Sequence, residues 1–299
     1  MPGEKEFFTE SSPGSSSGVK GPGERRTRAC LVDGTYELFR AYFGAPSATD
    51  EAGAEVGAVR GLVRSLRALF QDATWTHGAV AFDTVIESFR NGLYEGYKTG
   101  DGLPEELTLQ FPLAEKAVAE LGLLVLPMVE FEADDGLASA ASFLFESGAI
   151  DDIVIASPDK DLAQCVVGDR VVTWDRMRRL TYNEEGVIQK FGVKPKSIPD
   201  FLALVGDTAD GYPGIPRFGK KSSADLLAVY EHIENIPTSA SELKVKMRGA
   251  DKLIAELNER RSDAALFKQL ATLRKDAPVP RTLSAYEVPR PFPPTQASG

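Results

Sequence analysis

Four short apolar segments of this chain alternate with longer segments of helical periodicity, and each of them leads into acidic residues. They cover residues 29–33, 78–83, 123–126 and 152–156. Strands separated by helical segments are typical of a parallel α/β sheet with helices on both faces. We therefore predict such a domain for residues 28–182, with residues 171–174 as an edge strand.

The pattern changes after Tyr182, where no further strand is indicated. Helical periodicity predicts helices over residues 184–191, 198–204, 220–230, 250–258 and 263–272. In the first domain it predicts one over 56–70 and a buried, Ala-rich amphipathic helix within 129–145, whose first turn is acidic. We interpret residues 183–277 as a smaller α-helical subdomain. Residues 1–27 are rich in Gly, Ser, Pro and charge and are predicted to be disordered, and residues 278–299 are predicted to form an extended, Pro-rich tail.

Acidic side chains gather where the predicted strands end. They are Asp33, Asp83, Glu132, Asp134, Asp135, Asp159 and Asp161. The carboxyl ends of parallel strands line a common crevice, so we expect these side chains to meet there. Any one of them alone could equally be a helix cap or a turn former. Their crowding at one place becomes favourable when hard divalent cations lie among the oxygens.

The overall charge limits what the chain can bind. The formal net charge is −10 and the pI is about 4.9, which argues against tight nonspecific binding of nucleic acid because phosphate affinity depends on Lys and Arg. That argument weakens if the acids are metal ligands, because bound cations reverse the local field. Cys30 and Cys165 are the only cysteines, so a disulfide framework is not expected. The longest apolar run is well below the roughly 20 residues that span a membrane.

Two further acids, Asp207 and Asp210, precede a turn that is dense in Gly and Pro. The sequence Gly-Lys-Lys-Ser-Ser at 219–223 then opens a predicted helix. Backbone N–H groups at a helix start can hold a phosphate, and Lys220 and Lys221 add positive charge. This second region therefore predicts a phosphate contact close to two more carboxylates.

The motifs that carry these residues occur in a familiar order. They are Leu-Val-Asp-Gly-Thr at 31–35, Ala-Val-Ala-Phe-Asp at 79–83, Ser-Phe-Arg at 88–90 with Tyr-Lys at 97–98, Glu-Ala-Asp-Asp at 132–135, Ser-Pro-Asp-Lys-Asp-Leu at 157–162, Leu-Ala-Leu-Val-Gly-Asp at 202–207 and Pro-Gly-Ile-Pro at 213–216. Together they resemble the 5′-nuclease family, which includes the 5′→3′ exonuclease domain of bacterial DNA polymerase I and the flap endonucleases. The similarity runs from about Arg28 to Pro280. No polymerase domain follows, so the stand-alone form is expected.

The resemblance implies a PIN-like α/β domain, a helical arch and a helix-hairpin-helix module that grips duplex DNA. It also implies two divalent ions, Mg²⁺ or Mn²⁺, that hydrolyse a phosphodiester, and a K⁺ ion at the hairpin. By position, the metal ligands would be Asp33, Asp83, Glu132, Asp134, Asp135, Asp159, Asp161, Asp207 and Asp210. Arg90 and Lys98 resemble the basic pair that steadies the scissile phosphate. The contacts to DNA would come from Gly214, Arg217, Gly219, Lys220, Lys221 and Ser222.

The sequence departs from the family pattern at three places. Asp101 stands where the family usually has an Arg, and the arch region 84–110 carries only Arg90 and Lys98 as cations among several acids. In the hairpin, Arg217 and Phe218 replace the usual small and apolar pair. Gly211 replaces the common Asn after the second acid.

More than one function remains open at this point. The first interpretation is a metal-dependent 5′→3′ exonuclease or 5′-flap endonuclease that acts on DNA in replication or repair. The acidic arch suggests an alternative, a structure-specific DNA-binding homologue with little or no hydrolysis. A PIN-type RNase is a weaker third possibility. A cytoplasmic protein of bacterial type, associated with the nucleoid, is expected, or an organellar one if a precursor has been trimmed.

Overall fold

The computed structural model describes residues 26–292. Most of the segment predicted to be disordered, 1–25, lies outside this range. Arg26 and Thr27, which were included in that prediction, belong to the folded part: the Thr27 N–H donates to Asp151 Oδ2 at 2.7 Å, and the Thr27 hydroxyl donates to the Ala149 carbonyl. Within residues 26–292, no helix is long and apolar enough to cross a bilayer.

A six-stranded sheet forms the centre of the first domain, in the order β3-β2-β1-β4-β5-β6. Its strands are β1 Arg28–Asp33, β2 His77–Asp83, β3 Leu124–Met128, β4 Asp152–Ala156, β5 Val171–Asp175 and β6 Leu180–Tyr182. Neighbouring strands are parallel except for β5 and β6, which are antiparallel. The prediction that residues 171–174 form an edge strand is wrong, because the short β6 returns after β5 and takes the edge.

Helices cover both faces of the sheet, as predicted. Apolar side chains of α1 Gly34–Gly44, α2 Gly57–Phe70 and α5 Phe111–Glu120 pack on one face. The Ala-rich α6 Ala133–Glu146 packs on the other, and its small side chains allow close contact with the strands. Helix α1 was not foreseen from the sequence. It begins directly after β1, where Asp33 Oδ1 accepts the Tyr36 N–H at 2.8 Å.

The predicted arch region, 84–110, contains little regular structure. It has only two short helices, α3 Phe89–Leu93 and α4 Glu105–Thr108, joined by turns. Tyr97 between them is buried and packs into the core of the helical part of the chain. Through Tyr97, the arch region therefore connects the sheet domain with the helical part of the chain.

The helical part has its own core and uses the helices that the periodicity predicted. They are α7 Glu184–Phe191, α8 Ile198–Val205, α9 Lys220–Tyr230, α10 Ala250–Glu259 and α11 Arg261–Ala271. Buried residues from all of them meet in one apolar cluster. The helix predicted over 263–272 starts earlier than expected, at Arg261.

The C-terminal segment returns to the sheet domain. Leu273, Val279 and Tyr286 are buried in the same cluster as α6, and a short 3₁₀ helix spans Leu283–Tyr286. The Arg290 guanidinium donates to the Phe70 carbonyl at the end of α2 and to the Trp75 carbonyl before β2. The tail predicted to be extended from Pro278 is thus packed against the domain up to residue 292.

Candidate metal centre

The topology aligns the ends of the central strands. Asp33 ends β1 and lies opposite Ala81 of β2, and Asp83 ends β2 and lies opposite Met128 of β3. Asp33 Oδ2 accepts the Ser157 hydroxyl at 2.8 Å, which connects it to the loop after β4. The strand-end acids are therefore held at one edge of the sheet, as predicted.

The first turn of α6 brings its acids to the same edge. Asp83 Oδ1 accepts the Ala133 N–H at 2.7 Å, so the end of β2 caps the start of the helix. Glu132 precedes the helix, and its N–H donates to Asp135 Oδ2 at 3.0 Å. These bonds fix the direction of the first helical turn and with it the position of Asp134.

The carboxylates at this edge of the sheet are largely buried, and their negative charges repel one another. The pKa of Asp33 is raised to about 7, mainly by burial and with the charges of Asp83 and Asp159 contributing, against the hydrogen bonds from Tyr36 and Ser157. Burial likewise raises the pKa of Asp134 well above its usual value, with Asp159 and Asp33 contributing. Such mutual repulsion shows that Asp33, Asp83, Asp134 and Asp159 form one electrostatic group.

A second group joins the two parts of the chain. Asp161, Asp207 and Asp210 each place one carboxylate oxygen within 4.8 Å of the others. Asp161 starts a 3₁₀ helix, Asp161–Cys165, after β4, and the other two acids lie in the loop after α8. Burial raises the pKa of Asp161 well above its usual value, and Asp159 and Asp210 add to this shift.

Gly211 explains how that loop reaches the sheet domain. Its φ is +87°, and a Cβ at this position would lie 2.1 Å from the Gly96 carbonyl oxygen. Only glycine permits such a close approach with this backbone conformation. The Lys98 N–H donates to the Asp210 carbonyl at 3.0 Å next to this contact. The departure from the family pattern at Gly211 is thus compatible with tight docking of the two loops.

Lys98 links Asp210 of the second group to Glu132, which precedes α6 beside the first group. Its ammonium lies 2.8 Å from Glu132 Oε2 and 2.9 Å from Asp210 Oδ1. Burial lowers the pKa of Lys98, but Glu132 and Asp210 outweigh this effect and raise it, so the side chain carries its charge. The predicted basic residue therefore lies where the two carboxylate groups meet.

Arg90 lies elsewhere than expected for a phosphate contact. Its side chain is 1% exposed, and its guanidinium pairs with both oxygens of Asp135 at 2.7 and 2.8 Å and with Glu132. It also donates to the Leu270 and Thr272 carbonyls at the end of α11. This arrangement favours a positioning role for Arg90 over direct contact with substrate.

The side chain of Asp135, like that of Arg90, has its hydrogen-bonding capacity filled by groups of the protein. Besides the two bonds from Arg90, its oxygens accept the N–H groups of Glu132 and Arg274. Four donors occupy the lone pairs that a metal ion would need. Ligation by Asp135 stays a prediction, and the geometry favours a role in orienting α6.

The residues predicted to contact DNA lie around the start of α9. Lys220 and Lys221 are exposed, and Lys221 forms an ion pair with Asp225 at 3.0 Å. Gly219 precedes the helix, and its N–H donates to the Ser222 hydroxyl. Arg217 has a φ of +71° and its guanidinium lies 3.5 Å from Glu256.

Gly214, the remaining member of that set, is buried. A Cβ at Gly214 would lie 2.3 Å from the Gly206 nitrogen, so it shapes the loop that carries Asp207 and Asp210. It does not share the exposed surface of Lys220 and Lys221.

Sequence reasoning missed three side chains of the centre. The Ser88 hydroxyl donates to Glu132 Oε1 at 2.8 Å, Ser157 binds Asp33, and the Lys160 ammonium forms an ion pair with Asp207. Ser157 and Lys160 belong to the Ser-Pro-Asp-Lys-Asp motif, so their neighbours in sequence were a usable signal. Ser88 likewise opens the Ser-Phe-Arg motif at 88–90, although its partner Glu132 is 44 residues away.

The donor set suits a hard divalent cation. Carboxylate oxygens are the ligands that Mg²⁺ and Mn²⁺ prefer. Among residues 26–292, Asp161 Oδ1 is a buried oxygen with no hydrogen-bond donor, and the repulsion within the group of Asp33, Asp83, Asp134 and Asp159 calls for positive charge. The residues present therefore fit a metal centre.

The sheet is open and mainly parallel, acids line its carboxyl edge, and a helical module lies beside it. These features place the chain among α/β proteins with a site at the carboxyl edge of the sheet. Residues 28–192 match the sequence model of the 5′-3′ exonuclease N-terminal resolvase-like domain, and residues 193–293 match that of the 5′-3′ exonuclease C-terminal SAM fold. The chain belongs to the 5′-3′ exonuclease family. The predicted fold and family are thereby confirmed.

Relatives of the chain include both long and short proteins. The chain is 36% identical over 264 residues to DNA polymerase I of Rhizobium leguminosarum, covering 85% of this chain and 25% of that protein. It is 32% identical over 229 residues to the 5′-3′ exonuclease of Aquifex aeolicus, covering 76% of this chain and 78% of that protein. The chain thus spans about a quarter of the polymerase but most of the shorter exonuclease.

The fold also resembles a solved structure. The bacteriophage T5 D15 flap endonuclease, crystallised as a pseudo-enzyme-product complex with DNA and metal ions, superposes with a TM-score of 0.64 at 20% identity. The alignment covers 82% of this chain and 89% of that one. At this identity the likeness supports the fold alone.

Proposed function

We propose that the protein is a divalent-metal-dependent 5′→3′ exonuclease and 5′-flap endonuclease that hydrolyses phosphodiester bonds of DNA. The observation that carries the proposal is the meeting of the sheet-edge acids with Asp207 and Asp210 of the helical part. Strand ends, a helix start and a separate module all deliver carboxylates to one place, with a buried oxygen of Asp161 left without a donor. Family membership supports the same reaction.

Two Mg²⁺ or Mn²⁺ ions are the proposed cofactors. Asp33, Asp83 and Asp134 would hold the first, and Asp161, Asp207 and Asp210 the second, with Asp159 facing both groups. Ligation by Glu132 stays a prediction, as for Asp135, because its oxygens already accept from Ser88, Arg90, Tyr97 and Lys98. When bound, such ions lower the pKa of an attacking water and stabilise the leaving oxygen.

The chain's own residues would arrange the reaction around these ions. Lys98 lies between the two acidic groups, so its ammonium is placed to meet an anionic phosphate that enters there. Arg90 and Asp135 hold the first turn of α6 in place. The Ser157 hydroxyl orients Asp33, and Asp83 caps α6 through the Ala133 N–H.

DNA with a 5′ end, a flap or a nick is the proposed substrate. The exposed lysines at the start of α9 would bind the duplex backbone, because N–H groups at a helix start and ammonium groups both favour phosphate. We also propose K⁺ binding by carbonyls of the 211–219 turn, which would show as tighter duplex binding in K⁺ than in Li⁺. The location in the cell stays a prediction.

The test is a cleavage assay on 5′-labelled flap and nicked DNA duplexes, with matched RNA substrates alongside. We expect product with Mg²⁺ or Mn²⁺ and none with EDTA. Asp134→Asn should lower the rate by about 10²-fold or more, because the loss of a metal ligand removes several kcal/mol of transition-state stabilisation. Asp263→Asn, which alters a half-exposed acid of α11 that pairs with Arg260, is the matched control and should cut normally.

The assay also separates the alternatives. DNA binding without cutting in the presence of either ion would indicate the binding homologue. Cleavage confined to RNA would indicate a PIN-type RNase.

A further inference from the structure

The Lys160 side chain contacts the second acidic group, Asp161, Asp207 and Asp210, and the proposed reaction assigns it no role. It stands between Asp159 and Asp161 in the sequence, and its ammonium pairs with Asp207 Oδ2 and lies 3.9 Å from Asp161 Oδ1. The Lys160 side chain is 35% exposed, whereas those of Asp161 and Asp207 are 8% and 3% exposed. An ammonium thus reaches from the solvent side onto two buried carboxylates.

These two carboxylates come from different parts of the protein. Asp161 belongs to the sheet domain, and Asp207 follows α8 of the helical part. Two buried negative charges this close repel each other strongly when no cation lies between them. The Lys160 ammonium supplies positive charge at this point, so it helps to keep the two parts together without any bound ion.

The same contact opposes a metal ion. Asp207 Oδ2 and Asp161 Oδ1 are the oxygens that face Lys160, so a divalent ion that takes either oxygen as a ligand must compete with the ammonium. Lys98 pairs in a similar way with Glu132, which precedes α6, and with Asp210. Among the described residues, Lys160 is the cation that contacts both Asp161 and Asp207.

We propose that Lys160 is a built-in counter-cation of the Asp161–Asp207–Asp210 group, which stabilises the ion-free protein and leaves Asp207 when a divalent ion binds. The proposal rests on the proposed metal centre and adds a determinant of ion affinity to it. Lys160 would act through the carboxylates, as a positioning residue. Its displacement would make the affinity for the second ion weaker than the carboxylates alone would give.

The experiment uses the full chain with Mn²⁺ as the probe and no DNA. Thermal unfolding is followed in EDTA and across a Mn²⁺ series, and Mn²⁺ uptake is measured by calorimetry. For Lys160→Met we expect a lower Tm in EDTA, a larger rise in Tm on adding Mn²⁺, and about fivefold to thirtyfold tighter binding of the weaker ion, which lies within the range of typical coupling free energies between two sites. Lys160→Gln provides a second variant that keeps polarity.

Two controls separate the contact from general charge. Lys160→Arg keeps the positive charge and should retain both the Tm in EDTA and the Mn²⁺ affinity of the wild type. Lys190→Met removes a positive charge nearby, where the ammonium lies over the Tyr182 ring, and should change Mn²⁺ affinity much less than Lys160→Met.

The outcomes bear separately on the two proposals. Normal uptake of Mn²⁺ by the wild type, with unchanged or weaker affinity in both Lys160→Met and Lys160→Gln, would overturn the role of Lys160 and leave the metal centre intact. No uptake by the wild type would overturn the metal centre and this proposal with it.

Discussion

The guanidinium of Arg90 binds both carboxylate oxygens of Asp135, at 2.7 and 2.8 Å, and neither side chain reaches solvent. Two further bonds run from Arg90 to the Leu270 and Thr272 carbonyls. The pair therefore joins α3, α6 and the end of α11. Removing one partner of such a pair leaves an uncompensated buried charge, which is more damaging than the loss of the attraction itself.

Arg90→Met should accordingly reduce the free energy of unfolding by about 3–5 kcal/mol. Urea denaturation at neutral pH measures this change. Lys194→Met is the control, since Lys194 pairs with Glu231 on the surface and its loss should cost about 1 kcal/mol or less. Equal and small effects of the two substitutions would show that the Arg90–Asp135 pair does not hold the three elements together.

The strain within the acidic group predicts a pH dependence for the ion-free protein. The pKa of Asp33 is raised to about 7, whereas an Asp in the unfolded chain has a pKa of about 3.9. The folded state thus binds more protons than the unfolded state between these values. The contribution of the Asp33 carboxyl to the stability of the folded state is complete below about pH 4 and is lost as the pH rises through about 7.

Urea midpoints in EDTA should therefore fall between about pH 4 and 7, and Asp33→Asn should make this fall shallower. Saturating Mn²⁺ should reverse the trend, because the ions bind the ionised carboxylates. Asp225→Asn, which alters an acid at the surface, serves as the comparison. An identical pH profile for wild type and Asp33→Asn would refute the assignment of this titration to Asp33.

The start of α9 predicts a salt-dependent interaction with DNA. Lys220 and Lys221 are exposed beside the N-terminus of an eleven-residue helix. Replacing either by Glu should weaken duplex binding and reduce the slope of log K against log salt by about 1 for each DNA phosphate that the protein no longer neutralises. Fluorescence anisotropy with a labelled duplex across a salt series gives the slope.

Mn²⁺ uptake by these variants should stay unchanged, because both lysines lie outside the acidic groups. Lys196→Glu introduces the same charge change at a surface site where the lysine pairs with Glu231. The salt slope measured for Lys196→Glu should equal that of the wild type. If Lys196→Glu lowered the slope as much as Lys220→Glu, general charge would account for the effect and α9 would not be the binding surface.

The sequence predicted much of the fold because the signals for it are local. Strands β1 to β4 and helices such as α2 and α9 show their apolar pattern within a few residues. The antiparallel β6 was missed, since a three-residue strand defined by its pairing to β5 has no pattern of its own. Helix α1 was also missed, because its buried face includes Gly34 and Glu37 as well as Leu38.

The site was predictable to the extent that topology determines it. Acids at the ends of parallel strands must share an edge, which placed Asp33 and Asp83 without knowledge of any contact. The burial of Arg90 was not predictable, because its partners lie 42 to 182 residues away. The pairing of Lys160 with Asp207 depends in the same way on how the helical part docks, which no local pattern records.

That docking can be tested at Gly211, where backbone conformation and close contact coincide. Gly211→Ala must adopt a φ near +87° and place its methyl group where the Gly96 carbonyl lies. Gly148→Ala is the matched control, with a φ of +68° and nothing within 4 Å of the new methyl group. The control should cost about 1 kcal/mol from backbone strain alone. Gly211→Ala should cost about 2–4 kcal/mol, because displacement of the loop adds to that strain.

Displacement of the loop has a second consequence that stability alone does not reveal. The Asp210 carbonyl accepts the Lys98 N–H beside this contact, so pushing the loops apart shifts Asp210 and changes its geometry relative to Asp161 and Asp207. Calorimetry should then show weaker Mn²⁺ binding in Gly211→Ala and unchanged binding in Gly148→Ala. If the two variants bound Mn²⁺ equally well, the close approach of Gly211 to Gly96 would not determine the geometry of the second acidic group, and the loop after α8 would hold its acids in place by itself.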